Sequence, residues 1–155
     1  MFYLIHMALG LLIGGYFHSA PLVIIVALLS HFILDMLPHW DGPYDKAFFE
    51  KTGQLKAHKA MYFIEAFDFI LAALLAVYFI SSSGLLNGKM MALGVMCSMA
   101  PDVLKLGYFT PLKNKKFYSK YLQFHSRIQN EVGWKSGIFY QVIVFISLLV
   151  IFHFV

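Results

Sequence analysis

Five long apolar segments constrain the fold of this 155-residue chain more than any other feature. A helix crosses the hydrocarbon core of a bilayer with about 20 residues, and a chain in lipid must satisfy its own backbone hydrogen bonds. The segments are residues 2–17, 21–37, 61–80, 90–109 and 137–155. We therefore predict an all-α integral membrane protein, in which residues 1–155 form a single domain of about five transmembrane helices.

The composition supports a membrane protein, because only 13% of the residues are charged and 60% are apolar. A soluble domain carries roughly 25% charged residues. The stretches 38–60 and 110–136 are too polar for hydrocarbon but rich in aromatic residues, so we expect two amphipathic segments in the membrane interface. Gly10 and Gly14 form a pair of small residues four positions apart, which would let another helix approach closely.

The basic residues predict the orientation of the chain. Ten of the twelve lysines and arginines lie in the stretches 38–60 and 110–136, whereas Lys89 is the basic residue expected on the opposite side. Cytoplasmic loops carry the excess of positive charge. We therefore expect both stretches and the N-terminus on the cytoplasmic side of a prokaryotic inner membrane, with the C-terminus outside.

The sequence from Ser30 to Asp41 places His31, Asp35 and His39 at intervals of four residues. Residues four apart lie on one face of a helix, although Pro38 leaves open whether His39 is on the helix or in the following turn. Ionisable groups in a membrane helix are expensive, and they mark functional sites by default. These three side chains therefore need polar partners or a metal ion.

The predicted orientation brings further polar residues to the same leaflet. Carboxylates and imidazoles on facing helices build metal sites in helical bundles, and such a set favours zinc or manganese and leaves iron open. The expected ligands of this divalent metal are His31, Asp35, His39, Asp68 and Asp102. The expected acid/base or supporting residues are Asp41, Glu65 and His125. His6 stands alone on an apolar helix, which is more typical of a core histidine.

Basic and aromatic residues alternate between positions 108 and 127. Two interpretations are compatible: an amphipathic anchor on anionic lipid, and a set of cations that hold a lipid phosphate near the metal. For the second interpretation the candidates are Lys113, Lys116 and Arg127. A chain embedded in a bilayer is not expected to bind nucleic acid.

The N-terminal 41 residues resemble a group of small prokaryotic inner-membrane proteins that are identified as membrane-bound metal-dependent hydrolases. The resemblance rests on His6 and on a Ser-His-x3-Asp-x2-Pro-His-x-Asp signature that runs from Ser30 to Asp41. Weaker similarity continues at Asp102 and at His125. Some members carry a His-Arg-Gly-x-Thr-His element that this chain lacks, so the resemblance implies a metal site more directly than it implies hydrolysis.

We therefore expect a membrane-embedded hydrolase that cleaves a phospho- or acyl-ester of a membrane lipid with a metal-activated water. The alternatives are a divalent metal or proton transporter, and a non-catalytic scaffold or lipid-binding protein that a metal stabilises. A polar route through the outer half of the chain is not visible in the sequence, which favours chemistry over transport. The sequence leaves a homo-oligomer open.

Overall fold

The computed structural model describes residues 1–52, 58–105, 107 and 110–154. The prediction of an all-α protein is confirmed, because these residues form seven α-helices and one short 3-10 helix (Pro111–Asn114), with no strand. The α-helices are α1 (Tyr3–Tyr16), α2 (Ala20–Asp35), α3 (Lys46–Thr52), α4 (Lys59–Ser82), α5 (Leu85–Lys105), α6 (Lys116–Ile128) and α7 (Trp134–Phe154).

Helix α1 is the centre of the bundle and packs against α2, α4, α5 and α7. It crosses α5 in an antiparallel direction at unusually close range. A Cβ atom at Gly10 would lie 2.7 Å from the carbonyl oxygen of Gly94, and one at Gly14 would overlap the backbone of Met90. The small-residue pair therefore does allow a helix to approach, and that helix is α5.

Two of the described helices, α4 and α7, are long and apolar enough to cross a membrane. Only 17% of the apolar window of each is buried inside the protein, whereas the core helix of a soluble protein would be mostly buried. Large apolar side chains on α4 face outward, including Phe63, which is 77% exposed, and Phe67, which is 70% exposed. Such an exposed apolar surface fits contact with lipid.

Each of the five apolar segments forms a helix in the part of the chain that the structure describes, but five membrane crossings remain a prediction. Helices α1 and α2 have only 14 and 16 residues, fewer than the about 20 that a bilayer requires. Helix α5 has 21 residues but carries Lys89, Asp102 and Lys105. Short helices of this kind cross a bilayer only where it thins locally or where other helices cover their ends.

The chain brings the polar ends of several helices to one end of the bundle. The start of α1, the end of α2, the start of α4 and the end of α5 all contribute polar side chains there, as the contacts described below show. Helix α6 closes this end. Its buried residues, Tyr118, Leu122, His125 and Ser126, follow the helical period along one face, while the exposed side of α6 carries most of its charge.

Candidate metal centre

Four buried side chains from three helices meet at this end of the bundle. His31 and Asp35 come from the last turns of α2, Asp102 from the end of α5 and His125 from α6. One nitrogen or oxygen atom of each lies within 4.8 Å of the corresponding atoms of the other three. This group, His31, Asp35, Asp102 and His125, is called the four-residue cluster below.

The imidazole of His31 is fixed by a hydrogen bond from α2 to α5. Its Nδ1 atom lies 2.7 Å from the carbonyl oxygen of Ser98, in the turn before Pro101. A carbonyl can only accept, so Nδ1 carries the proton and Nε2 presents its lone pair to the cluster. Metal-binding histidines are oriented in this way, through a hydrogen bond from the second ring nitrogen.

The distances inside the cluster, 3.0–3.9 Å between its closest atoms and within 4.8 Å overall, are near those between the ligands of one ion. His31 Nε2 lies 3.0 Å from His125 Nε2 and 3.3 Å from Asp35 Oδ2. His125 Nε2 lies 3.7 Å from both Asp35 Oδ2 and Asp102 Oδ1. A tetrahedral zinc ion with bonds of about 2.0–2.1 Å holds its ligands about 3.3–3.4 Å apart.

The hydrogen bonding of the cluster also fits a cation. Asp35 Oδ2 is buried and accepts no hydrogen bond from the part of the chain that the structure describes. A buried acceptor without a donor is expensive, and two carboxylates side by side repel each other. Two imidazoles and two carboxylates are ligands typical of zinc, manganese or iron, so the residues present fit a divalent metal.

His6 belongs to the same site, although its sequence context suggested a core histidine. It is fully buried, stacks on the ring of His31 at 4.2 Å, and its Nε2 atom lies 3.2 Å from Asp35 Oδ1. The same oxygen lies 3.3 Å from the amino group of Met1. His6 therefore holds the oxygen of Asp35 that points away from His31 and His125.

His39 does not continue the face of α2. The helix ends at Asp35, and His39 lies in the following turn, where its backbone pairs with residues 130–132. Its Nδ1 atom bonds to the carbonyl oxygen of Leu37 at 2.8 Å, and its Nε2 atom lies 3.4 Å from Asp41 Oδ1. Of the two positions that Pro38 left open for His39, the structure shows the turn, because α2 ends at Asp35.

Asp41 forms a second polar pair beside the cluster. Its Oδ1 atom contacts the Met1 amino group and its Oδ2 atom accepts a hydrogen bond of 2.8 Å from the Gln129 amide. Burial alone would raise the pKa of Asp41, but the Met1 ammonium and His39 overcome this effect and hold the pKa well below its usual range. The side chain of Asp41 is therefore ionised.

Asp68 has a structural partner outside the cluster. Its carboxylate accepts hydrogen bonds from the backbone nitrogens of Tyr3 at 2.5 Å and Leu4 at 3.4 Å, and so caps the first turn of α1. Helix N-termini favour such a carboxylate. Glu65 lies one turn earlier on α4 and lines a cavity together with Asp68.

This cavity has a volume of about 250 Å³ and reaches the cluster at Asp102 and His125. Its polar wall includes Asp41, Glu65 and Lys105. Its apolar wall is formed by Phe2, Phe49, Met61, Tyr62 and Leu122. Burial lowers the pKa of His125 to about 3, so its imidazole is neutral, which is the form that binds a metal.

The cations that we predicted to hold a lipid head group are not among the described residues that line the cavity. Lys116 and Arg127 are exposed on α6 and are absent from the described residues that line the cavity. The side chain of Lys113 lies outside the described part of the chain. Lys105 is the lysine that lines the cavity, and its Nζ atom lies 2.6 Å from Asp102 Oδ1.

Comparison of the chain with protein family models, with curated proteins and with solved structures finds no match.

Proposed function

We propose that this protein is a membrane-embedded, metal-dependent hydrolase that cleaves an ester bond of a membrane lipid. The observation that carries this proposal is the four-residue cluster, whose ligand atoms lie within 4.8 Å of one another beside a cavity. His31, Asp35, Asp102 and His125 would hold the ion. When bound, the ion would lower the pKa of a water molecule toward about 7 and supply a hydroxide nucleophile.

The remaining groups suit the proton transfers of hydrolysis. The oxygen of water forms a bond to the phosphorus or the acyl carbon, the bond to the ester oxygen breaks, and the leaving oxygen takes up a proton. Glu65 and Asp41 line the cavity beside Asp102 and His125. We assign Glu65 the role of proton acceptor and donor, since Asp41 is already paired with the Met1 amino group and Gln129.

The position of the cavity suits a substrate that stays in the bilayer. Its wall includes Tyr62, near the start of α4, whose side chain is 47% exposed on the outside of the bundle. Farther along α4 the outward face is apolar. A lipid could thus place its head group in the cavity while its acyl chains remain beside α4.

The first experiment measures the metal content of the detergent-purified protein beside two histidine variants. His31→Ala removes a ligand, whereas His18→Ala removes an exposed histidine in the connection between α1 and α2. We expect near-stoichiometric zinc, manganese or iron in the unaltered protein and in His18→Ala, and almost none in His31→Ala. Asp35→Asn, which keeps the shape of the side chain, is expected to lose the metal as well.

The second experiment tests catalysis with the same samples. Mixed lipid vesicles are incubated with metal-loaded protein, and released phosphate, phosphorylated head group and fatty acid are measured. Release by the unaltered protein and by His18→Ala, but not by His31→Ala, would support the proposal. Metal binding without any release would contradict it and favour a structural metal, whereas uptake of the metal into proteoliposomes would favour transport.

A further inference from the structure

We infer that Lys105 binds the phosphate group of an anionic lipid, so that the substrate is a phosphoester and not a neutral acyl ester. This inference rests on the proposed metal centre, and it identifies the class of substrate. Lys105 lies at the end of α5, one turn beyond Asp102, and its side chain is 33% exposed. Lys105 and the Met1 ammonium are the positive charges among the described groups that line the cavity, and the Met1 ammonium already contacts both Asp35 and Asp41.

The ammonium group of Lys105 can also donate hydrogen bonds to a ligand. Its Nζ atom forms an ion pair with Asp102 Oδ1 at 2.6 Å, and an ammonium group carries three N–H donors. When Asp102 also binds a divalent ion, its negative charge is offset by that ion. The positive charge of Lys105 is then available to an oxyanion in the cavity, next to the cluster.

The cavity combines a charged wall with an apolar wall, and its size suits a lipid head group. The charged wall carries Lys105 and four acidic residues, Asp41, Glu65, Asp68 and Asp102, and Phe49 and Tyr62 lie on the apolar wall. Its volume of about 250 Å³ is below the about 300 Å³ at which pockets for drug-sized ligands begin. It can therefore take a phosphate and the adjoining glycerol, while two acyl chains must remain in the bilayer.

A neutral ester would make poor use of this arrangement. The carbonyl oxygen of an acyl ester carries no net charge, so it gains less from the ammonium of Lys105 than an oxyanion does. A phosphate oxygen forms a charge-assisted hydrogen bond, which is roughly twice as strong as a neutral one. Lys105 thus favours a phosphate-bearing substrate.

The test measures the binding of octylphosphonate by calorimetry to metal-loaded protein in detergent. This ligand has an anionic head and an apolar tail, and its carbon–phosphorus bond is not an ester, so binding is measured without turnover. We expect Lys105→Met to weaken binding at least about tenfold, since a hydrogen bond to a charged group contributes an order of magnitude or more. Lys105→Arg should restore part of the loss.

Lys116→Met is the matched control, because Lys116 is exposed on α6 and lies away from the cavity. It should bind octylphosphonate as the unaltered protein does, and all of these variants should keep their metal. Unchanged binding in metal-loaded Lys105→Met would overturn the inference. Loss of metal in Lys105→Met would also overturn it, because Lys105 would then act by positioning Asp102.

Two further measurements distinguish a lipid phosphate from free phosphate, and failure of this inference from failure of the proposed function. Inorganic phosphate that binds as tightly as octylphosphonate would overturn the lipid part of the inference, since the tail would contribute nothing. Lys105-dependent binding in a protein that takes up no metal would support the anion site and contradict the proposed hydrolase. The two proposals can therefore fail separately.

Discussion

Replacing Gly10 with alanine tests the close contact between α1 and α5 that places His6 in the site. A Cβ atom at this position would lie 2.7 Å from the Gly94 carbonyl oxygen and 2.5 Å from Ser98 Oγ. Ordinary contacts of a Cβ atom begin at 3.4 Å. The helices must therefore separate by at least about 0.7 Å, the difference between 3.4 and 2.7 Å, because the Gly94 oxygen belongs to the backbone and cannot rotate away.

Two opposing effects decide the sign of this prediction. Alanine in the middle of a helix is more favourable than glycine by about 0.5–1 kcal/mol, so local propensity alone predicts a more stable protein. Overpacking costs typically 1–3 kcal/mol. We expect the second effect to prevail and the free energy of unfolding to fall by about 1–2 kcal/mol.

The assay is reversible unfolding in mixed detergent and SDS, followed by helical circular dichroism. Gly84→Ala and Gly133→Ala are the controls, because a Cβ atom at either position would meet no other atom within 4 Å. Both glycines lie at the N-cap of a helix, where alanine is less favourable than glycine, so we expect each control to lose only about 0.5 kcal/mol. A Gly10→Ala protein as stable as these controls would refute the close packing of α1 on α5.

Two further substitutions separate residues that support the cluster from residues that support the fold. His6→Ala should weaken metal binding about 10–100-fold, because His6 holds Asp35 Oδ1 at 3.2 Å. The affinity is measured by competition with a chromogenic chelator. An unaltered affinity would exclude His6 from the site. Asp68→Ala should lower the free energy of unfolding by about 1 kcal/mol, because Asp68 caps α1. The metal content should stay the same. Loss of metal in this variant would contradict the capping role.

The apolar helices could be predicted from the sequence, because the hydropathy of a segment depends only on its own residues. Within the described residues, each apolar segment is a helix whose bounds lie within five residues of the predicted ones. Residues 106, 108–109 and 155, at the predicted ends of the last two segments, lie outside the described residues. The end of α2 was the harder boundary, because the four-residue spacing of His39 continues the helical pattern. Pro38 disfavours the helical conformation in the residue before it, and α2 ends at Asp35.

The site was predictable where its residues share one helix and less so where they do not. His31 and Asp35 stand out by their spacing, whereas His6 and His125 join them through contacts that span 29 and 94 residues. The signal for His6 was its place near the start of α1, at the same end of the bundle as the acids. The capping role of Asp68 could not be read from the sequence, because its partners lie on another helix.

The charges of the site connect the proposed metal with the proposed substrate. With neutral imidazoles, the form in which histidine binds a metal, the four-residue cluster carries the two negative charges of Asp35 and Asp102. Asp41 beside them adds a third. Lys105, 2.6 Å from Asp102, and the Met1 ammonium, which contacts Asp35 and Asp41, offset two of the three, so one buried negative charge is left to repel an anionic lipid. A divalent ion reverses the sign of that balance. The same ion that would supply the nucleophile would therefore also let a phosphate approach, and metal and phosphonate should each raise the affinity of the protein for the other by the same factor.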